Sequence, residues 1–600
     1  MNSATLMRCG GSVGAAPPGA ACRCPGRRAE CAQGDINVTS NHDPAARRPW
    51  HIAFPDAADW GAKVVQGSVP ALLQQAAADF AERPAIAFRE QRITYHDLAA
   101  AADQTAAGLL EMGVGRGDTV ALYLPNTPWH PIAFFGAART GARLVHLSAL
   151  DAPRELALKL ADSGARTLIT TNLPGMLPAA LALLAQGAVD HVLIGDDAHW
   201  GPGDVAPLPV AYDARLRPLP QAPPPPHWPV IVPDDVCLLQ YTGGTTGMPK
   251  GAMLTHGNLT AAVSIYRNWT DGGQGRSGVP QRVIAVLPLF HIYALTTLLL
   301  RQLAEGNELL LHMRFDVATL IDDIARKRAA AFAGVPTMFI ALVNHPDAAG
   351  ADFSSLELAT CGGAPLPFEV EQRVERLIGQ RLGGGWGMTE TSPAGTRIPE
   401  AATPRPGLIG IPLPGLDMRV VDRDDPGRVL GPDEIGEFAI RGPNVFAGYW
   451  NRPEETAAAF HDGYFLTGDI GAMDAHGLCR ILDRKKNMII SGGFNVYPTV
   501  IENAIYEHPD VAEVIVIGIA DAYRGQAAKA FVTLRQGAAP LTLETLRAFL
   551  AERIGRHEMP AALELRDALP RSPAGKLLAR ALRDEEAARA TQINAPGVSA

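Results

Sequence analysis

The chain has 600 residues, a length that predicts roughly three or four domains or subdomains. Hydrophobic residues make up 47% and charged residues 19% of the chain, a balance that supports a large buried core and excludes a wholly disordered protein. The formal net charge of -9 argues against a general nucleic-acid binder, and 7 cysteines are too few for a disulfide framework. No apolar run reaches the roughly 18 residues of a membrane span. We therefore expect a cytoplasmic protein, with at most peripheral membrane contact.

The first residues and those that follow differ sharply in composition. Residues 1–48 are rich in Ala, Gly, Pro, Cys and Arg and lack hydrophobic periodicity, which predicts a disordered leader. Beyond them, apolar spacing predicts a helix over 70–81, strands over 85–88 and 120–124, and a helix over 95–112. This alternation is typical of layered α/β structure with largely parallel sheets.

A second change in composition lies at the charged segment Asp-Arg-Lys-Lys over 483–486. The pattern beyond it predicts a compact α+β unit of about 100 residues, a common size for a small domain. Its helices and strands are predicted over 499–507, 511–519, 530–534 and 543–554. The expected organisation is a disordered leader over 1–48, a large N-terminal domain over 49–482, a small mobile C-terminal domain over 483–580 and a flexible tail over 581–600.

The densest local signal is the segment Tyr-Thr-Gly-Gly-Thr-Thr-Gly-Met-Pro-Lys-Gly over 241–251, directly after a predicted strand over 236–240. Its glycines let backbone N–H groups approach an anion, its threonines add hydroxyl donors, and Lys250 adds a positive charge. This combination suits a polyphosphate. A Walker A loop is excluded, because that motif needs Ser or Thr after its lysine and Gly251 stands there.

This loop resembles the signature of the acyl-adenylate-forming superfamily, which includes acyl-CoA synthetases, nonribosomal-peptide adenylation domains and firefly luciferases. Further segments resemble the motifs of that family in the expected order, and the resemblance runs from about residue 50 to about residue 580. The segments are Leu-Pro-Leu-Phe-His over 287–291, Cys-Gly-Gly-Ala-Pro over 361–365, Gly-Trp-Gly-Met-Thr-Glu over 385–390, Tyr-Phe-Leu-Thr-Gly-Asp over 464–469, Asp-Arg-Lys-Lys over 483–486, Gly-Gly-Phe-Asn-Val-Tyr-Pro over 492–498 and Pro-Arg-Ser-Pro-Ala-Gly-Lys over 570–576. The segments over 288–295 and 491–498 are most similar to the fatty acyl-CoA synthetase branch.

The resemblance implies two half-reactions in one protein. A carboxylate attacks the α-phosphorus of ATP and releases pyrophosphate, and the thiol of coenzyme A then attacks the carbonyl and releases AMP. The first step moves negative charge onto phosphate oxygens, so it needs positioned cations and hydrogen-bond donors. The implied cofactor is Mg²⁺, ATP and coenzyme A are co-substrates, and the expected acid is a medium- or long-chain fatty acid. No nucleic-acid partner is expected.

Alternatives stay open at this point. A dicarboxylic acid of moderate length, such as pimelate, would use the same chemistry, and the sequence alone does not identify the side chains that line the acyl pocket. An adenylation enzyme that loads a carrier protein is a second alternative, although the sequence contains no Asp-Ser-Leu carrier signature. The presence of Lys576, Glu390 and Asp469 argues against a non-catalytic nucleotide-binding protein.

The resemblance also implies a role for individual residues at the reacting centre. Lys576 is expected to bridge the substrate carboxylate and the α-phosphate, Glu390 to bind Mg²⁺, and Thr389 to donate a hydrogen bond to the α-phosphate. His291 is expected beside the acyl pocket and the thiol entry route. The residues expected to hold the β- and γ-phosphates are Thr242, Gly243, Gly244, Thr245, Thr246, Gly247 and Lys250.

The expected adenosine site has two walls. Trp386 stands where tyrosine is usual in the family and is expected to stack on the adenine, since its indole offers a larger π surface. Asp469 can accept both ribose hydroxyls, because an ionised carboxylate has two acceptor oxygens, and Arg484 would reach the ribose from the hinge side. The backbone expected to form the opposite wall is that of Gly362, Gly363 and Ala364.

One pocket must serve both half-reactions, because Lys576 and coenzyme A cannot easily share one side of it. The resemblance therefore implies a rotation of the small domain about Asp483, where a few residues can absorb the change in φ and ψ. After this rotation Gly492 and Gly493 would border the pantetheine tunnel, where a side chain would obstruct passage.

Overall fold

The computed structural model describes residues 48–593, apart from residues 55, 57, 209–211, 243–248, 271–278, 365, 493, 522 and 572–576, and gives the backbone alone for 590–593. Within these residues the chain forms four β-sheets of 6, 7, 8 and 5 strands. Helices accompany the sheets throughout, and the predicted α/β class is confirmed.

The 6-stranded sheet has the strand order β13-β12-β10-β11-β1-β2 and is parallel except for the hairpin of its first two strands. Its strands are β1 (Pro84–Phe88), β2 (Gln91–Thr94), β10 (Arg282–Ala285), β11 (Glu308–Leu311), β12 (Ala331–Gly334) and β13 (Leu358–Cys361).

The 7-stranded sheet has the order β7-β6-β5-β3-β4-β8-β9 and is parallel except for the hairpin of its last two strands. Its strands are β3 (Thr119–Leu122), β4 (Arg143–His146), β5 (Thr167–Thr171), β6 (His191–Gly195), β7 (Leu216–Pro218), β8 (Val236–Thr242) and β9 (Lys250–Thr255).

The 8-stranded sheet is antiparallel, with the order β14-β15-β16-β21-β20-β18-β17 and β19 paired with β20. Its strands are β14 (Gly385–Trp386), β15 (Thr396–Arg397), β16 (Leu408–Pro412), β17 (Asp417–Val421), β18 (Gly436–Arg441), β19 (Phe460–His461), β20 (Tyr464–Met473) and β21 (Cys479–Arg484). The C-terminal sheet contains β22 (Ile489–Ser491), β23 (Phe494–Val496), β24 (Val511–Asp521), β25 (Gly525–Leu534) and β26 (Ala562–Leu565).

The α-helices are α1 (Pro49–Ala53), α2 (Val69–Phe80), α3 (Tyr95–Glu111), α4 (Trp129–Arg139), α5 (Pro153–Ser163), α6 (Leu177–Ala185), α7 (His256–Trp269), α8 (Ile292–Ala294), α9 (Arg301–Ala304), α10 (Val317–Ala325), α11 (Pro336–Asn344), α12 (Phe368–Ile378), α13 (Pro453–Ala458), α14 (Pro498–Tyr506), α15 (Leu543–Leu550) and α16 (Ala579–Ile593). A π-helical segment, Leu295–Leu300, joins α8 to α9. Short 3₁₀ turns cover Asp197–Trp200, Ala348–Gly350, Thr389–Thr391 and Arg556–Glu558. Among the helices described, none is both long and apolar enough to cross a lipid bilayer.

The two parallel sheets share one core. Helix α4 is buried on nearly every side, and its Phe134 packs in the same cluster as Ile86 of β1, Val120 of β3 and Val283 of β10. Because crossover helices cover both faces of parallel strands, such strands are apolar along their whole length rather than alternating. This arrangement brings carboxyl ends of the parallel strands towards one region, where open α/β sheets bind their ligands.

Local sequence signals account for several boundaries. The Thr94 hydroxyl accepts a hydrogen bond from the Asp97 backbone N–H at 3.1 Å, which caps the start of α3. The same helix stops before Gly113, whose φ of 83° is unfavourable for other residues. The helices predicted over 70–81 and 95–112 and the strand predicted over 511–519 are confirmed within two residues. The helix predicted over 543–554 is shorter, because it ends at Leu550.

The flexible tail predicted from residue 581 differs from the structure, which forms α16 through that point. Leu582 is fully buried against Ile517 and Phe531 of the C-terminal sheet. Charged side chains that suggested a solvated tail instead form ion pairs, and Arg589 Nη1 lies 2.9 Å from Glu564 Oε2 of β26. The sequence did not predict this helix, because one buried leucine in an Ala- and charge-rich segment gives little hydrophobic periodicity.

We predict that α16 contributes to the stability of the C-terminal domain. Leu582→Ala should lower its free energy of unfolding by about 2–4 kcal/mol, because a buried leucine loses both transfer energy and packing. Urea denaturation of the full chain, monitored by hydrogen exchange within β24 and β25, measures the change. Leu565→Ala is the matched control, since Leu565 is 40% exposed, and it should shift stability by less than about 1 kcal/mol. Equal effects of the two substitutions would contradict the assignment.

Candidate active site

A cavity of about 1020 Å³ lies where the three larger sheets meet the C-terminal domain. It is lined by Thr242 at the end of β8, by His291 after β10, and by Gly362 after β13. The antiparallel sheet adds Trp386 of β14, and the C-terminal domain adds Leu578. Described residues from most of the segments singled out in the sequence therefore line one cavity, except those from 492–498 and 570–576.

The glycine-rich segment is the connection of an antiparallel hairpin. Strands β8 and β9 pair so that Thr242 lies opposite Lys250. Both residues line the cavity. The Lys250 ammonium pairs with the Glu455 carboxylate and lies 5.3 Å from the centre of the Tyr449 ring. The residues between the strands, among them Gly243, Gly244, Thr245, Thr246 and Gly247, lie outside the described residues.

Glu390 is a buried carboxylate in the cavity wall, 6% exposed. It lies in the 3₁₀ turn Thr389–Thr391, and Thr389 also lines the cavity. The Tyr449 hydroxyl donates a hydrogen bond to Glu390 Oε1 at 2.9 Å. Burial raises the pKa of Glu390, and the nearby Asp469 carboxylate adds to this effect, while the Tyr449 hydrogen bond opposes it. In the part of the chain that the structure describes, no three His, Cys, Asp or Glu side chains cluster as a metal site.

Asp469 lies close to Glu390 and is 1% exposed. Its Oδ2 accepts a hydrogen bond from the indole Nε1 of Trp386 at 2.7 Å. Its Oδ1 lies 2.8 Å from Nε of Arg484, which faces it across the β20–β21 ladder. Burial raises the pKa of Asp469, whereas Arg484 and the Trp386 hydrogen bond lower it. The sequence placed these three residues around one nucleotide, and the structure brings them into direct contact.

The opposite wall is formed by the chain after β13. Gly362 and Gly363 line the cavity, whereas the adjacent Ala364 is outside the lining that the described residues form. A Cβ atom on Gly362 would come 2.8 Å from Cζ of Tyr293, so only glycine allows this approach. His291 also lines the cavity, and its Nδ1 accepts a hydrogen bond from the Tyr293 backbone N–H at 3.3 Å.

The expected hinge residue, Asp483, is held firmly by its neighbours. It lies in β21 rather than in a turn, and its side chain is 5% exposed. Its Oδ2 accepts hydrogen bonds from the Thr499 backbone N–H at 2.9 Å and from the Thr499 hydroxyl at 3.0 Å. Thr499 begins α14, so the carboxylate also faces the positive end of that helix. The turn starts at Lys485, after the strand ends.

Two of the expected C-terminal residues, Lys576 and Gly493, lie outside the described residues. Gly492 has a φ of 58° in the turn between β22 and β23 and lies away from the cavity lining that the structure describes. Leu578, which follows Lys576 by two residues, does line the cavity. Its backbone N–H donates to the Pro570 carbonyl at 2.8 Å, which fixes this end of the segment.

Several cavity residues were missed in the sequence. Tyr449 holds Glu390, and Glu437 accepts a hydrogen bond from Nζ of Lys485 at 3.0 Å. Lys486 also lines the cavity, and burial lowers its pKa, as do Arg484 and Arg583. Tyr449 and Glu437 lie outside every motif, so no local pattern points to them. Lys486 was part of the charged segment, where adjacent cations gave no reason to choose it.

These features define an α/β enzyme with a large N-terminal and a small C-terminal domain. Its cavity is lined by the buried carboxylate of Glu390, and the buried carboxylate of Asp469 lies outside the lining that the described residues form, in contact with Trp386 and Arg484. Residues 73–450 match the family of AMP-binding enzymes, and residues 500–576 match the C-terminal domain of AMP-binding enzymes. The chain belongs to the AMP-binding enzyme family.

Relatives of this chain cover almost its full folded length. It is 35% identical over 567 residues to a long-chain-fatty-acid–CoA ligase of Bacillus subtilis (strain 168), covering 90% of this chain and 98% of the relative. It is 38% identical over 535 residues to a long-chain-fatty-acid–CoA ligase of Escherichia coli O157:H7, covering 86% and 94%. The structure of o-succinylbenzoate CoA synthetase (MenE) from Bacillus subtilis, in complex with the acyl-adenylate intermediate OSB-AMP, matches with a TM-score of 0.71 at 29% identity, covering 86% and 98%.

The Trp386 hydrogen bond should control the pH dependence of AMP binding. Asp469 must be ionised to accept hydroxyl groups with both oxygens, so affinity should fall as the pH falls through its pKa. Trp386→Phe keeps an aromatic ring and removes the donor that lowers this pKa. The fall in affinity should therefore occur at higher pH in the variant, with AMP binding measured by calorimetry across the pH range. Trp228→Phe is the control, because Trp228 lies over Arg139 at 4.1 Å. An identical pH profile in Trp386→Phe and the wild type would contradict the role of this bond.

Proposed function

We propose that this protein is an ATP-dependent, AMP-forming acyl-CoA ligase that activates a medium- or long-chain fatty acid as an acyl-adenylate and transfers the acyl group to coenzyme A. The observation that carries the proposal is the buried carboxylate of Glu390 in the wall of one cavity with Thr242 and Lys250, the two ends of the glycine-rich connection. A second buried carboxylate, Asp469, lies behind the lining residues Trp386 and Arg484 and is bound by both. Relatives named long-chain-fatty-acid–CoA ligases at 35% and 38% identity support it.

The adenosine moiety fits between Trp386 and the Gly362–Gly363 backbone. Trp386 offers a large aromatic face, and its hydrogen bond to Asp469 fixes the tilt of the indole ring. Each oxygen of a carboxylate has more than one acceptor site, so Asp469 can bind ribose hydroxyls while Trp386 and Arg484 hold it. The nucleotide is therefore bound by side chains that are already oriented.

The polyphosphate would lie along the β8–β9 hairpin. Thr242 supplies a hydroxyl at one end of the connection and Lys250 an ammonium at the other. Gly243, Gly244, Thr245, Thr246 and Gly247 would supply backbone and hydroxyl donors between them. Such donors would offset the negative charge that accumulates on the departing pyrophosphate.

Glu390 fits a magnesium site. Mg²⁺ prefers oxygen ligands and takes one or two carboxylates, with phosphates and water completing its shell. Glu390 is a single buried carboxylate, and Tyr449 orients it from behind. When bound, Mg²⁺ neutralises charge on the phosphate oxygens. Thr389, next in the same turn, would donate a hydrogen bond to the α-phosphate.

Lys576 would complete the first half-reaction. Leu578, which follows Lys576 by two residues, lines the cavity, and this supports the proposed role. An ammonium between the carboxylate and the α-phosphate would offset the charge that develops there. The thiol of coenzyme A would then approach past His291, once the C-terminal domain has rotated about Asp483 and brought Gly492 and Gly493 to the tunnel.

An assay of product formation tests the proposal directly. Release of AMP and pyrophosphate would be measured over monocarboxylic acids of increasing chain length, with and without coenzyme A. We expect acyl-CoA and AMP to form together, with the highest kcat/KM on medium or long chains. Failure of every acid to release pyrophosphate would refute the ligase activity, and acyl-AMP formation that ignores coenzyme A would instead favour loading of a carrier protein.

Glu390→Gln should raise the requirement for Mg²⁺. The amide keeps the shape of the side chain and removes its charge, so the Mg²⁺ concentration for half-maximal adenylation should rise about tenfold or more. In the wild type this requirement should also rise as the pH falls, because the raised pKa of Glu390 lets it protonate early. The variant should lack that pH dependence. Wild-type Mg²⁺ and pH profiles in the variant would show that another group holds the metal.

Lys576→Ala and Gly493→Leu should separate the two half-reactions. The first removes a cation needed while charge develops on the α-phosphate, so acyl-AMP formation should be lost and thioester formation from supplied acyl-AMP should survive. The second should do the reverse, since a branched side chain would obstruct the tunnel. Rapid-quench measurement of each half-reaction, with a melting curve for each variant, provides the test. Loss of both half-reactions in both folded variants would rule out domain rotation.

A further inference from the structure

Part of the cavity lining takes no role in the proposed nucleotide and phosphate contacts, and we call this part the arm. The arm is only partly apolar. Val283, Leu298 and Leu358 give it the surface expected for an alkyl chain. Polar side chains line the same arm, and they are Tyr266, Tyr293, Thr297, Arg301, Thr360 and Arg397. A saturated hydrocarbon cannot compensate a buried arginine, because the guanidinium loses hydration and needs a polar partner in its place.

Arg397 reaches into this arm from β15. The strand pairs Arg397 with Gly385 on one side and with Ile411 on the other. Its neighbour Thr396 donates its hydroxyl to the Ile409 carbonyl, and both residues line the cavity. A Cβ atom on Gly383 would lie 3.5 Å from Nη2 of Arg397, so the guanidinium passes over that glycine.

The two arginines differ in how their charges are satisfied. Nε of Arg301 donates to Glu305 Oε1 at 2.9 Å, and its Nη2 donates to the Thr270 hydroxyl at 2.9 Å. The carboxylate that interacts electrostatically with Arg397 is that of Glu400, an exposed residue, whereas Glu305 is buried beside Arg301. Burial, together with the Arg301 charge, lowers the pKa of Arg397 to about 10. Arg397 is therefore still protonated at neutral pH, and a buried cation of this kind favours an anionic partner.

Two tyrosines supply neutral donors beside this cation. Tyr266 and Tyr293 both interact electrostatically with Arg397. Burial raises the pKa of Tyr293 to about 12 and raises the pKa of Tyr266 as well, so both hydroxyls stay protonated and can donate. The Tyr293 hydroxyl lies 3.4 Å from Thr360 Oγ1. One fixed cation and two hydroxyl donors around an apolar arm match a carboxylate at the end of an alkyl chain.

We propose that Arg397, assisted by Tyr266 and Tyr293, forms a subsite for a second carboxylate on the substrate, so that the preferred acid is an α,ω-dicarboxylic acid of medium length. This inference rests on the ligase activity proposed above and specifies its substrate. Arginine suits the task because it carries five donors and no acceptor, and it can bind a carboxylate through two parallel hydrogen bonds.

The position of Arg397 limits the length of the diacid. Gly385, which lies opposite Arg397, precedes Thr389 by four residues, and that segment spans at most about 14 Å. Thr389 marks the α-phosphate end of the proposed reaction centre. Together with the spacing of about 5 Å between paired strands, this segment sets an upper bound on the distance from Thr389 to the Arg397 backbone, and diacids that exceed the reach of the guanidinium would have to fold.

The test compares matched acids on matched variants. Pyrophosphate release would be measured for a series of α,ω-diacids, for monocarboxylic acids with the same number of carbons, and for the corresponding ω-amides. We expect the wild type to have its highest kcat/KM on a medium-length diacid. Arg397→Met should lower the diacid-to-monoacid ratio of kcat/KM by about tenfold or more, because it removes a charge-assisted contact. Arg397→Lys should keep part of the preference, since lysine keeps the charge without the planar fork.

A control and a binding measurement complete the experiment. Arg376→Met removes an exposed arginine of α12 and should leave the ratio at its wild-type value. The increase in Tm of the full chain with each acid alone measures binding to the subsite without turnover. Diacids should raise the Tm of the wild type more than that of Arg397→Met. If no acid releases pyrophosphate, the ligase activity fails, and diacid-specific stabilisation lost in Arg397→Met would still support the subsite. Equal rates and equal stabilisation by diacids and monoacids, in wild type and Arg397→Met, would falsify it.

Discussion

The arrangement of the site depends on how the buried carboxylate of Asp469 is paired with Trp386 and Arg484. A buried charge must be paired and hydrogen-bonded. The two partners of Asp469 lie on different strands, since Trp386 belongs to β14 and Arg484 to β21. These contacts bring the wall expected for adenine and the strand leading to the C-terminal domain to fixed positions around one carboxylate. Removing either partner would leave a desolvated charge, so the wall and the strand are positioned together rather than independently.

The same constraint reaches the C-terminal domain through the next residue along β21. Asp483 precedes Arg484 and binds the start of α14 through Thr499. The turn that follows is held by α16, because Nη2 of Arg583 donates to Asn487 Oδ1 at 3.0 Å. Any rotation about Asp483 must exchange these hydrogen bonds, which are each worth about 0.5–3 kcal/mol. The proposed second half-reaction therefore needs new contacts of similar strength in the rotated arrangement.

Local patterns predicted most of the fold and much of the site, and the rest depends on contacts between distant residues. Apolar periodicity and caps identified α2 and α3, and the spacing of Gly, Thr and Lys identified the β8–β9 connection. The hydrogen bond from Trp386 to Asp469 joins residues 83 positions apart, and no local pattern encodes it. Arg397 was missed for a related reason, since a strand of two residues, Thr396–Arg397, carries no detectable period and is fixed only by its neighbours in the sheet.

Two ion pairs of the cavity illustrate which parts can exchange partners and which cannot. The Lys250–Glu455 pair is 28% and 39% exposed, so water already screens both charges, and such pairs contribute about 0–1 kcal/mol. A polyphosphate carries more charge than one carboxylate, so it can take Lys250 from Glu455 at little cost. Asp469 is only 1% exposed, although Arg484 is 43% exposed, so loss of this pair would leave a buried carboxylate with the Trp386 indole as its remaining partner. The proposed ligand would therefore take Lys250 from its partner and leave the carboxylate expected to bind ribose in place.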